Sequence, residues 1–421
     1  MAEQVFHRQV SATSPTRRIV MGIVFLLIAL TIWAYFSRSL EPGTITQFGL
    51  NASGSQTQLA PLFIPAQTVL NVIALICAVA AGYQLARGFR GATNWMLGLV
   101  LLLGVFSFLV WAAAGKSLNF AELLATTLVK SVPITLGALS GILAERAGIV
   151  NIAIEGMMLS GAFISTFVAS VTDSLWLGVL AALVMGGLMA LLHGWLSIRY
   201  KVNQIISGTV INIFATGLTS YLSAKFLQTY QELNSPGTFG PLPIPGLSQI
   251  PFIGPILFNN NIFVYAMFVL LALLHVVLFY TRWGLRMRAV GEHPRAADTL
   301  GINVFRMRYT AVMLSGMMAG LGGAYFTLGS VGRFDEVMTA GRGFIGLAAM
   351  IFGNWMPFGS FGAGLLFGFA DSLASRLAIL RLPIPSQFLL MAPYVVTMII
   401  LAGVIGRSHA PAAEGVPYEK E

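Results

Sequence analysis

The sequence predicts an all-α polytopic membrane protein, with about 10–12 transmembrane or re-entrant helices and both termini cytoplasmic. Three observations carry that expectation. The 421 residues are 57% hydrophobic and only 9% charged, against about 25% charged in a soluble chain. The apolar residues come in successive runs long enough to span a bilayer, which takes roughly 20 residues each. The basic residues, which leave a net charge of +9, gather on loops of one parity, as the positive-inside rule requires. Cys77 is the only cysteine, so neither an intramolecular disulfide nor a Cys-based metal site can form.

Residues 1–18 are polar, with Arg8, Arg17 and Arg18 ahead of a first apolar run, Ile19–Phe36. That run is long for a signal-peptide core and leads into Ser37-Arg38, not a small-residue cleavage site, so an uncleaved span is expected. Residues 37–65 are polar with almost no net charge and suit the outside. Thr68–Ala86 is a second span, Arg87 and Arg90 mark a short inside loop, and Trp95–Gly115 is a third span. Leu118–Ala144 is apolar but interrupted by Glu122, Lys130 and Pro133. Its first part reads as an interfacial or tilted helix, its second as a span. Val150–Val171, Trp176–Ile198 and Gln204–Phe226 follow, with Arg199 and Lys201 on the inside between the last two. Residues 227–260 carry Pro236, Pro241, Pro243, Pro245, Pro251 and Pro255, a density that excludes helix and suits a rigid external cover. Asn261–Thr281 returns inside. Arg282–Arg308 is then the strongest inside loop, with six arginines against Glu292 and Asp298. Tyr309–Gly329 exits, and Val331–Arg342 is an external segment of balanced charge. Gly343–Met356, Phe361–Leu380 and Phe388–Ile405 complete the set. The expected organisation is an N-terminal extension with three spans (1–115), a core (116–407) and a polar cytoplasmic tail (408–421).

Several spans carry glycines at spacing four: Gly137 and Gly141, Gly316 and Gly320, Gly364 and Gly368. Such pairs let helices approach closely in lipid. A faint internal echo links GIVNIAIEGMM (148–158) to GFIGLAAMIFG (343–353). Interrupted segments in corresponding halves are the pattern of a midplane site.

Two stretches carry the polar chemistry. In ERAGIVNIAIEGMM, Glu145, Arg146, Asn151 and Glu155 sit in otherwise lipid-compatible sequence, where such groups are costly and face a cavity or a partner. On a helix, Asn151, Glu155 and Met158 would share one face. That face either lines a translocation path or is structural, with Glu155 pairing to a neighbour or capping a broken helix. Glu145 and Arg146 are expected at the inner membrane edge. In the second stretch, residues 284–308, Pro294 is a good helix start and Gly301 a good stop. Between them Ala296, Ala297 and Leu300 form a small apolar face, with Arg295 and Asp298 elsewhere. This short helix suits docking in a protein groove, or simply an anionic lipid surface.

No catalytic constellation is present. His193 and His275 are lone histidines in spans, and no metalloprotease or nucleophile-elbow motif occurs. Gly115-Lys116-Ser117 resembles the end of a phosphate loop, but the glycine that pattern needs is Val110. The chain is therefore expected not to be an enzyme, and to use any ATP only through a partner.

ERAGIVNIAIEGMMLSGAF resembles the signature of bacterial ABC-transporter permeases of the nucleoside-uptake type, in the large family that includes ribose and branched-chain amino-acid permeases. GLRMRAVGEHPRAADTLGINV resembles that family's coupling-helix loop, SGMMAGLGGAYFTLG its next span, and GPLPIPGLSQIPFIGPILF the nucleoside branch. The resemblance covers about residues 118–407. It implies a multi-pass subunit of the bacterial inner membrane that translocates nucleosides. A second, different permease subunit, a cytoplasmic ABC ATPase and a periplasmic or lipoprotein receptor would be its partners. ATP-Mg would be used by the ATPase, no cofactor would be bound by this chain, and no nucleic-acid polymer is implied. The coupling loop would comprise Arg288, Gly291, Glu292, Pro294, Arg295, Ala296, Ala297, Asp298, Leu300 and Gly301. Asn151, Glu155, Met158 and, in the echo, Asn354 are the candidates to line the path. The rival readings are a branched-chain amino-acid or monosaccharide permease of the same type and an ion-coupled transporter. The latter would need carboxylates in its spans, of which Glu155 and Asp371 are the main ones.

Overall fold

The computed structural model describes residues 15–380, Met391 and residues 409–420. The expected span Phe388–Ile405, apart from Met391, and the residues before Pro15 lie outside the described residues. Ten described helices are long and apolar enough to cross a membrane: α1 (Pro15–Ser37), α2 (Ala66–Ala86), α3 (Arg90–Ala112), α4 (Phe120–Glu145), α5 (Ile154–Thr172), α6 (Leu175–Arg199), α7 (Gln204–Leu227), α8 (Ile262–Tyr280), α11 (Val304–Val331) and α13 (Pro357–Ile379). The shorter helices between them include α9 (Arg282–Glu292), α10 (Pro294–Thr299) and α12 (Arg342–Phe352).

The described residues fall into two compact units, one built mainly on Gln58–Ala121 and one on Glu122–Arg376 with the tail. In the first, α1–α3 accompany a small sheet that the polar character of 37–65 does not reveal. There β1 (Ile45–Gly49) pairs antiparallel with β2 (Leu62–Pro65) and parallel with β3 (Ser117–Asn119). Leu75, Val79 and Trp95 of this unit are largely exposed, as lipid-facing side chains must be.

In the second unit α4, α5 and α11 are the buried helices. Three sequence expectations change here. Within the stretch at 118–144 the helix is continuous from Phe120 on, with Pro133 inside it; a helix buried by neighbours tolerates the missing amide. The fifth helix begins at Ile154, not at Val150. The proline-rich segment holds a helical turn, Ile253–Leu257, and a strand pair, Leu242–Pro243 with Asn259–Asn260.

All three glycine pairs lie at close helix approaches. A Cβ on Gly186 would overlap the Gly316 carbonyl oxygen, one on Gly320 the Ala182 carbonyl, and one on Gly323 the Met158 carbonyl. So α5, α6 and α11 meet backbone to backbone. A Cβ on Gly137 would sit 3.6 Å from Gly346 Cα, and one on Gly141 2.7 Å from Met350 Sδ. Gly364 and Gly368 bring α13 equally near Thr135 and Thr127 of α4. Buried hydroxyls answer one another across these seams, Ser140 to Ser315 at 3.0 Å and Ser165 to Thr327 at 2.9 Å.

Replacing Gly316 by Leu should therefore lower the thermal midpoint of the detergent-solubilised protein, since overpacking costs about 1–3 kcal/mol or more. Gly217→Leu, at a position with nothing within 4 Å of the new Cβ, should leave the midpoint unchanged.

Candidate functional site

The site is built around α12. Its 11 residues reach only about 16 Å, too short to cross a bilayer. Gly346 lies against Gly137 and Met350 against Gly141, so α12 runs beside α4 in the same direction, its N-terminus near the middle of that helix. A helix end placed among packed helices leaves amides without partners. Glu155 supplies the acceptors. Its Oε1 accepts from the Thr339 hydroxyl at 2.6 Å and the Gly341 amide at 2.8 Å, and its Oε2 from the Gly343 amide at 2.6 Å. Gly341 is left-handed, with φ +79°, and a Cβ on Gly343 would lie 2.7 Å from the Glu155 backbone. Both glycines are required by this approach.

The other end of α12 is held by the start of the same stretch. Arg146 Nε and Nη2 donate to the Trp355 carbonyl at 3.2 and 3.0 Å, and Nη2 reaches the Asn354 carbonyl at 3.4 Å. The Trp355 indole donates to Glu145 at 2.6 Å. Asn354 and Trp355 both take positive φ, +54° and +52°, turning the chain sharply into α13. Residues 145–155 thus bracket α12, an anion at its N-terminus and a cation at its C-terminus, as the helix dipole favours.

The segment between the brackets is not helical, and polar side chains satisfy its backbone. Gly148 (φ +85°) turns the chain out of α4. Gln204 accepts from the Val150 amide at 2.7 Å, and His193 bonds the Val150 carbonyl at 2.9 Å. Asn212 accepts from Gly156 N and donates to Ile152 O, each at 2.8 Å. Asn151 accepts from the Ala153 amide at 3.1 Å and donates to Ser315 at 2.9 Å. Asn212, Gln204 and Thr339 were not singled out from sequence. Asn212 and Gln204, amides in an apolar run, are the two that could have been.

The four path candidates are not brought together. Asn151 precedes α5, so the helical face expected for Asn151, Glu155 and Met158 does not exist. Met158 is fully buried against Gly322 and Gly323. Asn354 is exposed at the far end of α12, where its Oδ1 accepts from the His409 amide at 2.9 Å. A different polar group faces partly open space. Asp371 of α13 pairs with Lys130 of α4 at 3.4 Å and with Arg342 of α12 at 3.1 Å, and the Lys130 ammonium donates to Ser375 at 2.6 Å. Among the described residues no His, Cys, Asp or Glu group is arranged to hold a metal ion.

Residues 282–301 form two helices. Thr281 caps α9 through the Gly284 amide, His293 caps α10 through the Ala296 amide, Pro294 opens α10, and Gly301 (φ +81°) follows it. The small apolar face expected here is split. Ala297 is buried with Val290, Val304 and Tyr418, while Leu300 is 81% exposed beside exposed Arg295, Ala296 and Thr299. Gly291 also faces inward, because a Cβ there would overlap the Arg146 carbonyl. Arg288 lies over the Phe279 ring at 4.9 Å. The tail 409–420 crosses this surface as a strap. The Ala413 amide donates to Gly291 O at 2.9 Å, Gly415 to Gly148 O at 3.2 Å, and Ala412 to Glu292 at 3.2 Å. Arg308 donates to Val416 O at 3.1 Å, and the Tyr418 hydroxyl to Asp298 at 2.8 Å. Burial pushes the Glu414 carboxyl up from its ordinary value, opposed by a hydrogen bond with Glu145.

Comparison with known proteins places this geometry in context. Residues 123–405 match the family described as the branched-chain amino acid transport system / permease component. The chain is 43% identical over 303 residues to the guanosine ABC transporter permease protein NupQ of Bacillus subtilis, covering 70% of this chain and 95% of that one. It is 42% identical over 308 residues to the nucleoside ABC transporter permease protein NupC of Lactococcus lactis, 71% and 96% of the two chains. A second Bacillus subtilis protein, the guanosine ABC transporter permease protein NupP, is 25% identical over 359 residues, 83% and 93% of the two chains. No solved structure matches.

Glu155→Ala leaves the Thr339, Gly341 and Gly343 donors without their acceptor. Each buried group so orphaned costs about 1–3 kcal/mol, so the variant should show a markedly lower thermal midpoint and faster deuterium uptake across 342–352. Glu155→Gln, keeping one acceptor oxygen, should fall between. Unchanged exchange in both would remove the clamp.

Glu414 sets a pH dependence. A carboxyl whose pKa rises on docking is held best when protonated, so the strap should bind most firmly below the ordinary carboxylate range and loosen as pH rises through the raised value. Deuterium uptake of 409–420, corrected for intrinsic exchange, should increase as pH rises from below the ordinary carboxylate range through that raised value, and Glu414→Gln should reduce the change.

Proposed function

The chain belongs to the permease-component family of branched-chain amino acid transport systems, and from that premise we propose that it is one of two different membrane subunits of an ATP-driven importer carrying nucleosides across the bacterial inner membrane. The observation that carries this reading is the identity of 42–43% to permeases named for guanosine and nucleosides, over nearly their whole length. The two Bacillus subtilis relatives support a pair of unlike permease subunits. A receptor would deliver nucleoside at the outer face. An ATPase subunit would bind and hydrolyse ATP-Mg at the cytoplasmic face, and this chain would make no covalent chemistry.

An ATPase subunit would grip the outward side chains of this loop, and the contacts beneath them support a route inward. Leu300, Ala296, Arg295 and Thr299 are the outward side chains of α10 and its C-terminal end. Gly291 and Ala297 hold the loop onto the permease instead. Displacement of α9 acts directly on the Arg146 carbonyl, and Arg146 holds the end of α12. A pull on the loop therefore reaches the half-helix through backbone contact. Ion-gradient coupling is disfavoured by the same geometry, since Glu155 is occupied with three donors and Asp371 with two cations.

Uptake of labelled guanosine into vesicles holding the full complex should require internal ATP and persist with a proton uncoupler. It should be competed by other nucleosides and not by leucine or glucose. ATP-independent uptake that collapses with the uncoupler would overturn the reading. Leu300→Asp should reduce uptake by about tenfold, the loss expected for roughly 1.4 kcal/mol at the docking face, with an unchanged thermal midpoint. Gly291→Leu should lower both.

A further inference from the structure

We propose that a cavity of about 460 Å³, roofed by the last residues of the strap, is a binding site for a phosphate-bearing ligand. Its volume lies within the range of about 300–1,000 Å³ typical of small-molecule pockets. Its walls come from three separated segments: the end of α6, the start of α11 and residues 418–420.

Among the described residues that line this cavity, cations outnumber carboxylates: Arg199, Lys201 and Lys420 converge on it with Glu419, and Asp298 lies beside Lys420. Lys201 is engaged with Glu419. Lys420 stands 3.9 Å from Asp298, whose Oδ2 already accepts from Tyr418. Arg199 is exposed and makes no ion pair among the described residues. Like charges drawn into one concavity repel, and an anion between them relieves that repulsion. Arg and Lys together suit phosphate oxygens, the guanidinium through its fork and the ammonium as a point charge.

Two further observations point the same way. Lys201 is held at φ +55°, a left-handed conformation that costs energy for a residue with a side chain and persists where the surroundings impose it. The lining is also aromatic: Phe305 and Tyr418 lie 5.4 Å apart, centroid to centroid, and Tyr309 joins them in the wall. A ligand with a phosphate and a flat or apolar portion suits both kinds of side chain.

The cavity also sits where such ligands are found. Arg199 ends a membrane-crossing helix, and the exposed Trp195–Tyr200 pair, 4.8 Å between rings, marks the interfacial level favoured by amphipathic aromatics. The phosphate could therefore come from an anionic lipid headgroup or from a free organic phosphate in the cytosol. In either case the ligand ties the ends of α6 and α11 to the strap. The strap in turn is hydrogen-bonded to Gly291, Asp298 and Gly148. Occupancy would thus fasten the tail across the loop, whatever substrate the permease carries.

The test uses the full-length protein in phosphatidylcholine nanodiscs, with deuterium uptake of 409–420 as the readout. One arm adds phosphatidylglycerol to the disc, the other adenosine monophosphate to the buffer. Ligand at ten times its dissociation constant should slow exchange about tenfold in at least one arm. Slowing by phosphatidylglycerol alone identifies a lipid headgroup, and slowing by the nucleotide alone a free phosphate. The double variant Arg199→Gln with Lys420→Gln, or Arg199→Gln alone if the double is unstable, should abolish the slowing with an unchanged thermal midpoint. No slowing in either arm, or equal slowing in wild type and variant, overturns the proposal.

Discussion

One carboxylate serves two helix starts. Glu155 stands in the first turn of α5 and also accepts three hydrogen bonds at the start of α12. Both helices begin inside the bundle, and each presents unpartnered amides and a positive dipole end there. Without an anion between them, the two ends would repel and the amides at the start of α12 would go unsatisfied in a medium that offers no water. Transporter folds that break their helices near the midplane face this constraint, and the broken ends then become the polar features of the interior. Here much of that polarity is consumed in holding the break itself.

The rest of the second unit follows from keeping α12 in place. Glycines at 137, 141, 343 and 346 remove the side chains that would otherwise keep it from α4 and α5. Asn212, Gln204 and His193 carry the backbone of 150–156 across a gap where no helix supplies partners. Arg146 then closes the far end. Because Gly291 rests on the Arg146 carbonyl, loop 282–301 and α12 are neighbours through one residue. The strap lies on the same junction, touching Gly291 on one side and Gly148 on the other.

What could be read from sequence divides along physical lines. Spans were legible because apolar runs of that length have few alternatives, and α10 because Pro294 and Gly301 punctuate it. The function of Glu155 was not legible beyond its two alternatives. Its partners at Gly341 and Gly343 are backbone amides, which every residue but proline carries. The face expected for Asn151, Glu155 and Met158 assumed an unbroken helix; Gly148 and the Asn151 turn undo that assumption, and only a local conformation reveals it. Ala297 and Leu300 were assigned one face because both are apolar, yet the structure buries the smaller and exposes the larger. The tail reads as a polar end because its docking runs mostly through main-chain groups of 412–416, which leave no pattern in side-chain chemistry.

The interactions around α12 also differ in how readily they give way. Releasing Glu155 would orphan three donors, two of them buried, and a carboxylate together, at about 1–3 kcal/mol for each buried neutral group and more for the charge. Releasing Asp371 from Lys130 and Arg342 is different. All three side chains are 24–30% exposed, so water can replace part of each ion pair, and such pairs approach the modest worth of about 0–1 kcal/mol seen at surfaces. Ranked in this way, α4, α5 and α12 hold together through groups that are costly to separate. The seam toward α13 near Lys130, Arg342 and Asp371 is joined by groups that exchange partners at small cost. Of the contacts compared, these ion pairs therefore give way most readily, although Gly364 and Gly368 still pack α13 closely on α4, and the excess of one cation over the carboxylate leaves a polar lining in place once the pairs part.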